Sequence, residues 1–431
     1  MISSNITIGK NGHLYFGGQD TVHLAQQYST PLYVMDEERI RENMRTYIRA
    51  FADHFGPEAI PCYASKANCF KRIYEIAHEE GMDIDVVSSG EIYTAYKANY
   101  PLAHAWFHSN NKTEEDIRFA MYHGVGHFVA DSVEELDAIE AIAAQMGIVQ
   151  KILLRLTPGI DPHTYEAVNT GRVDSKFGIA IETGQAWQAV RHALSLPHIF
   201  LDGFHCHVGS MVFGEDVYLR ASEIMLDFVA KCRAAFGCAL QFLDLGGGYG
   251  VRYVESDGRV DIYSAVGELA KHMKAYCAKI DTPLPIVTME PGRSIVADAG
   301  MTLYTVGSVK KIPGYKNYTS IDGGMTDNPR YALYRSRYSV YHANRPSAQA
   351  DFVSDLVGRC CESDDIIQPH ISLPEPKRGD IIAVATTGAY NYSMASNYNR
   401  IPRPAMVLVT PERCCLAVRR ETLEDLLSND L

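Results

Sequence analysis

The sequence predicts an α/β protein, a TIM-type (β/α)8 barrel followed by a mostly β domain, and three observations lead there. From about residue 36 to 298, short apolar runs alternate with amphipathic stretches, the pattern of parallel strands joined by crossover helices. Eight such apolar runs can be counted. Past Met301 the texture changes to short strands separated by turns. With 431 residues, 46% of them apolar and 21% charged, the chain can fill two domains of ordinary size.

The apolar runs are Ile60 to Ala64, Asp83 to Val87, His104 to Phe107, His127 to Ala130, Lys151 to Leu156, Ile199 to Cys206, Leu240 to Leu245 and Pro285 to Glu290. Between them Glu114 to Tyr122, Val133 to Met146, Ala221 to Phe236 and Tyr263 to Lys279 read as helices, with polar starts such as Asp131-Ser132 acting as caps. The stretch from Asp36 to Met44 reads as a helix ahead of the first strand, so the barrel begins with a helix and ends with a strand. Leu303 to Val309, Asp380 to Ala385 and Ala405 to Val409 supply strands of the second domain. Ile6 to Ile8 and Leu14 to Phe16 come too early for the barrel and are expected to join that β domain. The expected organisation is therefore 1–35 with the β domain, 36–298 as barrel and 299–431 as the β domain proper.

Composition narrows the function. A formal net charge of -12 argues against a nucleic-acid partner, which requires a basic face. Residues Met1 to Lys10 lack a basic segment followed by an apolar stretch, and no apolar run approaches membrane-spanning length, so a cytoplasmic protein with no membrane partner is expected. Ten cysteines are scattered without CxxC pairs or zinc-like spacing, which fits a reducing compartment and predicts no metal site.

In a barrel of this type the residues just after each strand face one shared mouth. After the first run stands Lys66, in Tyr63-Ala-Ser-Lys-Ala-Asn68. An amine placed there is expected to lose hydration, which lowers its pKa and suits it to react with a carbonyl. After the second run comes Asp85-Val-Val-Ser-Ser-Gly-Glu91. Later strand ends carry His205-Cys-His-Val-Gly-Ser210, Asp244-Leu-Gly-Gly-Gly-Tyr-Gly250 and Glu290-Pro-Gly-Arg293. Gly246, Gly247 and Gly248 remove side chains where consecutive amides can cradle an anion such as phosphate; an isolated triple glycine is otherwise a flexible turn. Ser210 and Arg293 add a hydroxyl and a positive charge to such a site. His207 alone would be a core histidine, but beside a lysine and a phosphate cup it suits stacking on a planar ring. Glu290, at the end of a buried strand, is costly unless it meets a cation, and a protonated pyridine nitrogen is one. A lysine for an aldehyde, a cup for a phosphate and an acid for a pyridinium together describe pyridoxal phosphate.

These motifs resemble the fold type III pyridoxal-phosphate decarboxylases, the alanine racemase-like barrel family, over nearly the whole chain. The resemblance implies a homodimer with shared active sites. It assigns Lys66 to the covalent attachment of the cofactor, His207 to ring stacking and Glu290 to the pyridinium. Asp85, Gly292, Ser210, Gly246, Gly247, Gly248, Arg293 and Tyr390 complete the cofactor-binding set.

Three carboxyl-terminal segments resemble the diaminopimelate-decarboxylating branch of that family: Asp322 to Tyr334, Cys361-Glu-Ser-Asp364 and Thr387 to Asn399. Diaminopimelate carries a carboxylate and an ammonium at each end, so its unreactive end requires partners of both signs. Arg330 offers a fork for the distal carboxylate and Glu362 an acceptor for the distal ammonium. Tyr334, Arg293 and Tyr390 join them as substrate-binding residues, and Cys361 is implied as the acid that protonates the product, supplied by the partner subunit. Outside these motifs Arg330 and Glu362 would read as a surface ion pair and Cys361 as an apolar filler. The segment from His163 to Gly178 resembles the specificity loop of that branch. The chain departs from the family pattern at Tyr331, Asp364 and Asn391. Rival readings are a decarboxylase of ornithine, arginine or carboxynorspermidine, a racemase, and a catalytically silent regulator; the last would be expected to lack the lysine or the phosphate cup.

Overall fold

The computed structural model describes residues 1–160, 174–214 and 216–431. The chain forms two compact units, one of residues 44–250 and 259–292, the other of 1–43, 251–258 and 293–431.

The first unit is the barrel. Its strands are β1 (Cys62–Ala64), β2 (Asp83–Val86), β3 (Ala105–Phe107), β4 (His127–Ala130), β5 (Gln150–Thr157), β6 (Ile199–His205), β7 (Phe242–Asp244) and β8 (Ile286–Thr288). Each pairs in parallel with the next, in sequence order. The ring closes where Cys62 N–H donates to Met289 O at 2.8 Å and Ala64 N–H to Pro291 O at 3.1 Å, joining β1 to the end of β8. Strands covered on both faces read as continuous apolar runs, which is why these eight were visible in the sequence. Inside, Cys62, Trp106, Val129 and Leu153 pack together with Phe242, side chains from five different strands.

Helices follow the strands for local reasons. Val133–Met146 starts where the Ser132 hydroxyl accepts from Glu135 N–H and stops at Gly147 with φ 67°. Its buried Leu136, Ile139, Ile142 and Ala143 recur at helical spacing. Glu114–Tyr122 opens with a reciprocal capping box between Thr113 and Asp116. Glu37–His54 precedes β1, so the order is helix first and strand last. Lys71–Glu80, Ser89–Lys97 and Gln185–Ala193 are further crossover helices that the sequence reading left unassigned. Residues 163–173 of the expected specificity loop lie outside the described residues. Among the described residues no helix is long and apolar enough to cross a membrane.

The second unit is mostly sheet. Strands Ile366–Leu373, Phe352–Val357, Lys316–Ile321, Gly300–Ile312, Leu32–Asp36, Ala405–Val409 and Cys414–Val418 lie side by side in that order. Leu32–Asp36, buried throughout, is inserted between Gly300–Ile312 and Ala405–Val409. Ile6–Ile8 and Leu14–Phe16 belong to this unit but pair with each other and with Gln19–Asp20 in a separate three-stranded sheet. Ile6, Leu14 and Phe16 share one apolar core with Leu32, Val34, Met301 and Leu303.

Gly203 is required by strand packing in the barrel, since a Cβ there would stand 2.1 Å from Phe242 O on the neighbouring strand. Gly203→Ala is expected to lower stability by about 1–3 kcal/mol. Urea denaturation would show a reduced midpoint; an unchanged midpoint would contradict this account of β6 against β7.

Candidate active site

Five strand ends of the barrel converge on one buried group of ionisable side chains. Glu290, two residues past β8, is flanked by His108 just past β3 and His205 at the end of β6. His108 Nε2 lies 2.7 Å from Glu290 Oε1, and His205 Nε2 lies 3.3 Å from Oε2. Asp244, at the end of β7, brings a ligand atom into the same cluster, in which all four residues' atoms lie within 4.8 Å of one another. Asp85, in β2, stands 4.0 Å from His108 Nε2. The sequence reading singled out Glu290 and Asp85 but not His108, His205 or Asp244. Asp244 and His205 open motifs already quoted, whereas nothing local distinguishes His108.

Burial alone would raise the Glu290 carboxyl; the two imidazoles beside it reverse this and hold it well below the usual carboxylate range. Burial first, then the neighbouring Glu290, push Asp244 well above that range. Asp85 is also raised, by burial, against the opposing pull of His108. His205 is pushed down by burial to about 4 and is therefore neutral near pH 7, so it serves Glu290 as an N–H donor and not as a cation. The cluster thus concentrates acid in a low-dielectric interior.

This arrangement fits a bound pyridinium. Glu290 Oε1, Asp244 Oδ2 and Asp85 Oδ1 are buried without a hydrogen-bond partner among the described residues. His108 Nε2 comes within 2.7 Å of Oε1 without the alignment of a full hydrogen bond, which leaves that oxygen able to accept one. The donor set could also coordinate a divalent ion, but the adjoining glycine segment points to an anion-bearing organic ligand.

Gly246, Gly247 and Gly248 are structural necessities and not a loose turn. Gly246 has φ +68°, and a Cβ there would stand 2.6 Å from His207 Nδ1. At Gly247 a Cβ would meet Glu290 O at 2.1 Å, and at Gly248 it would meet Gly209 O at 2.1 Å. Glu290 N–H donates to Gly246 O at 3.0 Å and Val212 N–H to Gly248 O at 2.9 Å. The glycines therefore lock the His207 and Ser210 segment to the Glu290 segment. Gly292 does the same for the lysine turn, since a Cβ there would lie 2.9 Å from Ala64 and Ala67.

Lys66 sits in the single 3-10 turn Ser65–Ala67 that follows β1. It is exposed between buried Ser65 and Ala67, so its amine is not the buried, dehydrated group expected from the sequence. Its charge still acts on the site, opposing the rise of Asp85 and, after burial, depressing His207.

The other unit holds a cluster of cations and phenols. Arg293 donates to Tyr253 Oη at 2.8 Å and lies over the Tyr390 ring at 4.7 Å. Arg330 donates to Tyr338 Oη at 3.0 Å and lies over the Tyr253 ring at 5.0 Å. Arg330 is buried, its Nε has no hydrogen-bond partner, and no carboxylate among the described residues pairs with it. Tyr253 and Tyr338 were not read from the sequence, because neither belongs to the segments that carried the resemblance. Tyr253 is lowered despite burial, by Arg293 and then Arg330.

Cys361, Glu362 and Tyr334 are all exposed. Cys361 N–H donates to Asn399 Oδ1 at 2.8 Å, and Glu362 Oε1 accepts from Ser363 N–H at 2.9 Å. Buried Arg330 and exposed Glu362 are not a surface ion pair. Of the departures from the family pattern, Asp364 pairs with Arg335 at 3.1 Å and Asn391 is buried with its amide on Thr387 O at 3.0 Å.

Residues 37–297 match the family model described as the pyridoxal-dependent decarboxylase, pyridoxal binding domain. The diaminopimelate decarboxylase of Bacillus subtilis (strain 168) is 43% identical, over 98% of this chain and 96% of that relative. The chain belongs to the diaminopimelate decarboxylase family. The Staphylococcus aureus (strain COL) diaminopimelate decarboxylase is 39% identical over 99% of both chains. The crystal structure of the M. jannaschii diaminopimelate decarboxylase, solved with L-lysine, superimposes with a TM-score of 0.91 at 33% identity, covering 99% of this chain and 98% of that one. As a pyridoxal-phosphate enzyme of the diaminopimelate decarboxylase family, the chain carries the family's helix-first barrel and mostly β second domain.

Glu91, which accepts the Val87 N–H at 2.7 Å, is raised to about 7 by burial and by Asp85. A carboxyl raised in the folded state holds its proton while the unfolded chain gives it up, so stability declines as pH rises from the ordinary value of 4.5 to about 7. Glu91→Gln keeps the acceptor and removes this penalty. Its melting temperature relative to the parent is expected to be little changed at pH 4.5 and to rise up to pH 7; a difference independent of pH would contradict the assignment.

Proposed function

We propose that this protein decarboxylates meso-2,6-diaminopimelate to L-lysine and CO2, with pyridoxal phosphate as cofactor, as a cytoplasmic homodimer, and so completes lysine biosynthesis. The observation that carries the substrate assignment is Arg330, a buried guanidinium with no carboxylate partner among the described residues. A buried cation of this kind matches a substrate that keeps a second carboxylate away from the reacting one. Ornithine and arginine have no such carboxylate. The naming of the relatives and the lysine bound to one of them support the same reading.

Pyridoxal phosphate, when bound, supplies an aldehyde that captures the substrate amine and a ring that accepts the electrons left behind as CO2 departs. Lys66 is the residue that tethers it. Glu290 keeps a proton at the ring nitrogen, His207 covers the ring face, and Asp85 completes the acid cluster behind it. Ser210, Gly246, Gly247, Gly248, Gly292, Arg293 and Tyr390 are assigned to holding the phosphate and its surroundings. Arg330 holds the distal carboxylate, Tyr334 adds a hydroxyl, and Glu362 accepts from the distal ammonium. With the distal end fixed, the scissile Cα–carboxylate bond can be set at a defined angle to the ring. The net change breaks that bond, releases CO2 and adds one proton to Cα, for which Cys361 of the partner subunit is the general acid. The exposure of Cys361 and Glu362 in the single chain suits residues that act across a dimer. Residues 36–298 are taken as the cofactor module, with 1–35 and 299–431 contributing the distal determinants.

The test is to incubate cofactor-loaded protein with meso-diaminopimelate, ornithine, arginine and carboxynorspermidine separately and to identify products by mass. Lysine from diaminopimelate alone is expected, with no product from Lys66→Ala; a product from another substrate would overturn the assignment. Arg330→Ala is expected to raise KM for diaminopimelate by about tenfold or more while cofactor affinity is unchanged. An unaltered KM would remove Arg330 from the substrate site.

A further inference from the structure

The barrel mouth gathers three buried carboxylates, Asp85, Asp244 and Glu290, around two buried imidazoles, His108 and His205. In a low-dielectric interior neighbouring carboxylate anions disfavour one another, so the anionic charge concentrates where a partner stabilises it. Geometry separates them. His108 Nε2 is 2.7 Å from Glu290 Oε1 but 4.0 Å from Asp85 Oδ1. Asp244 is tied through Oδ1 to the Gly246 N–H at 2.8 Å, and no histidine pairs with it among the described residues. Glu290 alone has an imidazole on each oxygen. The protonation preferences agree, with Glu290 held low and Asp244 and Asp85 high.

The two imidazoles are not equivalent. His205 is fully buried, neutral near pH 7 and at the longer distance, 3.3 Å. His108 makes the shorter approach, and its ring stands edge-on to His205 with centroids 5.0 Å apart. Its backbone N–H is already fixed to Val86 O at 2.8 Å, so the strand end does not depend on the ring. The imidazole is therefore free to serve Glu290.

We infer that His108 is a positioning residue that holds Glu290, in preference to Asp85 and Asp244, as the anion facing the cofactor's ring nitrogen. The inference rests on the reading of Glu290 as the pyridinium partner and adds the residue that selects it from three adjacent carboxyls. His108 need touch neither substrate nor cofactor to do this.

The test compares the affinity of the apoenzyme for pyridoxal phosphate with its affinity for the carbocyclic analogue in which C–H replaces the ring nitrogen. Both ligands keep the aldehyde and the phosphate, so their ratio reports the ring-nitrogen contact alone. The parent is expected to prefer pyridoxal phosphate by about tenfold or more. His108→Leu is expected to abolish most of that preference by weakening pyridoxal phosphate while leaving the analogue within about twofold. His108→Gln, which keeps a polar N–H group beside Oε1, is expected to retain most of it. Should the leucine form not fold, His108→Met removes the polar ring in the same way. Equal weakening of both ligands, or a preference intact in His108→Leu, would reduce His108 to a packing role and overturn the inference. A parent with no preference would instead refute the pairing of Glu290 with the ring nitrogen, a separate failure.

Discussion

The Glu290 carboxylate, buried just past the end of β8 and held low by two imidazoles, is the constraint around which the barrel mouth is arranged. Burying a carboxylate is expensive, and burying it beside Asp85 and Asp244 more so. His108 and His205 stabilise the charge at 2.7 and 3.3 Å, but Oε1 keeps unused accepting capacity. That capacity suits a cationic ring. The barrel topology makes the cluster possible, because strands that run consecutively around a closed ring bring β2, β3, β6, β7 and β8 to a common rim although their residues span Asp85 to Glu290 in the chain.

The glycine segment serves the same end by different means. Positive φ at Gly246 and the 2.1 Å that a Cβ would leave at Gly247 and Gly248 mean that three backbone segments touch directly. The Glu290 backbone is held by this contact, so the carboxylate is aimed by main chain before any side chain acts. The turn that carries Lys66 is fixed similarly, through Gly292 against Ala64 and Ala67. In the other unit, Arg293 and Arg330 donate to phenols, Tyr253 and Tyr338, and no carboxylate among the described residues pairs with Arg330. Phenols orient a guanidinium without neutralising it, so its charge stays available to an anion.

Much of this was legible in the sequence where function is written into contiguous residues. The eight apolar runs marked the barrel because strands covered on both faces need continuous apolar content. Gly246 to Gly248 and Glu290-Pro-Gly-Arg293 were visible because a tight backbone approach demands glycine and a buried acid stands out at a strand end. Other features were illegible for physical reasons. His108 acquires its meaning only from Glu290, 182 residues later in sequence. Tyr253 likewise matters through Arg293 and Arg330. Leu32–Asp36 is a short buried strand whose partners lie near residues 300 and 405, so no local pattern gave its place in the sheet. The exposure of Lys66 was not legible because Lys66 lies in a one-turn helix after β1 and not in the buried strand itself.

The central claim is that Glu290 keeps the cofactor's ring nitrogen protonated. The most direct measurement is the 15N chemical shift of ring-labelled pyridoxal phosphate bound to the protein, followed from pH 6 to about 9, across the range in which exposed histidines lose their protons. The account predicts the shift of a protonated pyridine throughout, moving toward the unprotonated value in Glu290→Gln. An unprotonated shift in the parent near neutral pH would contradict it.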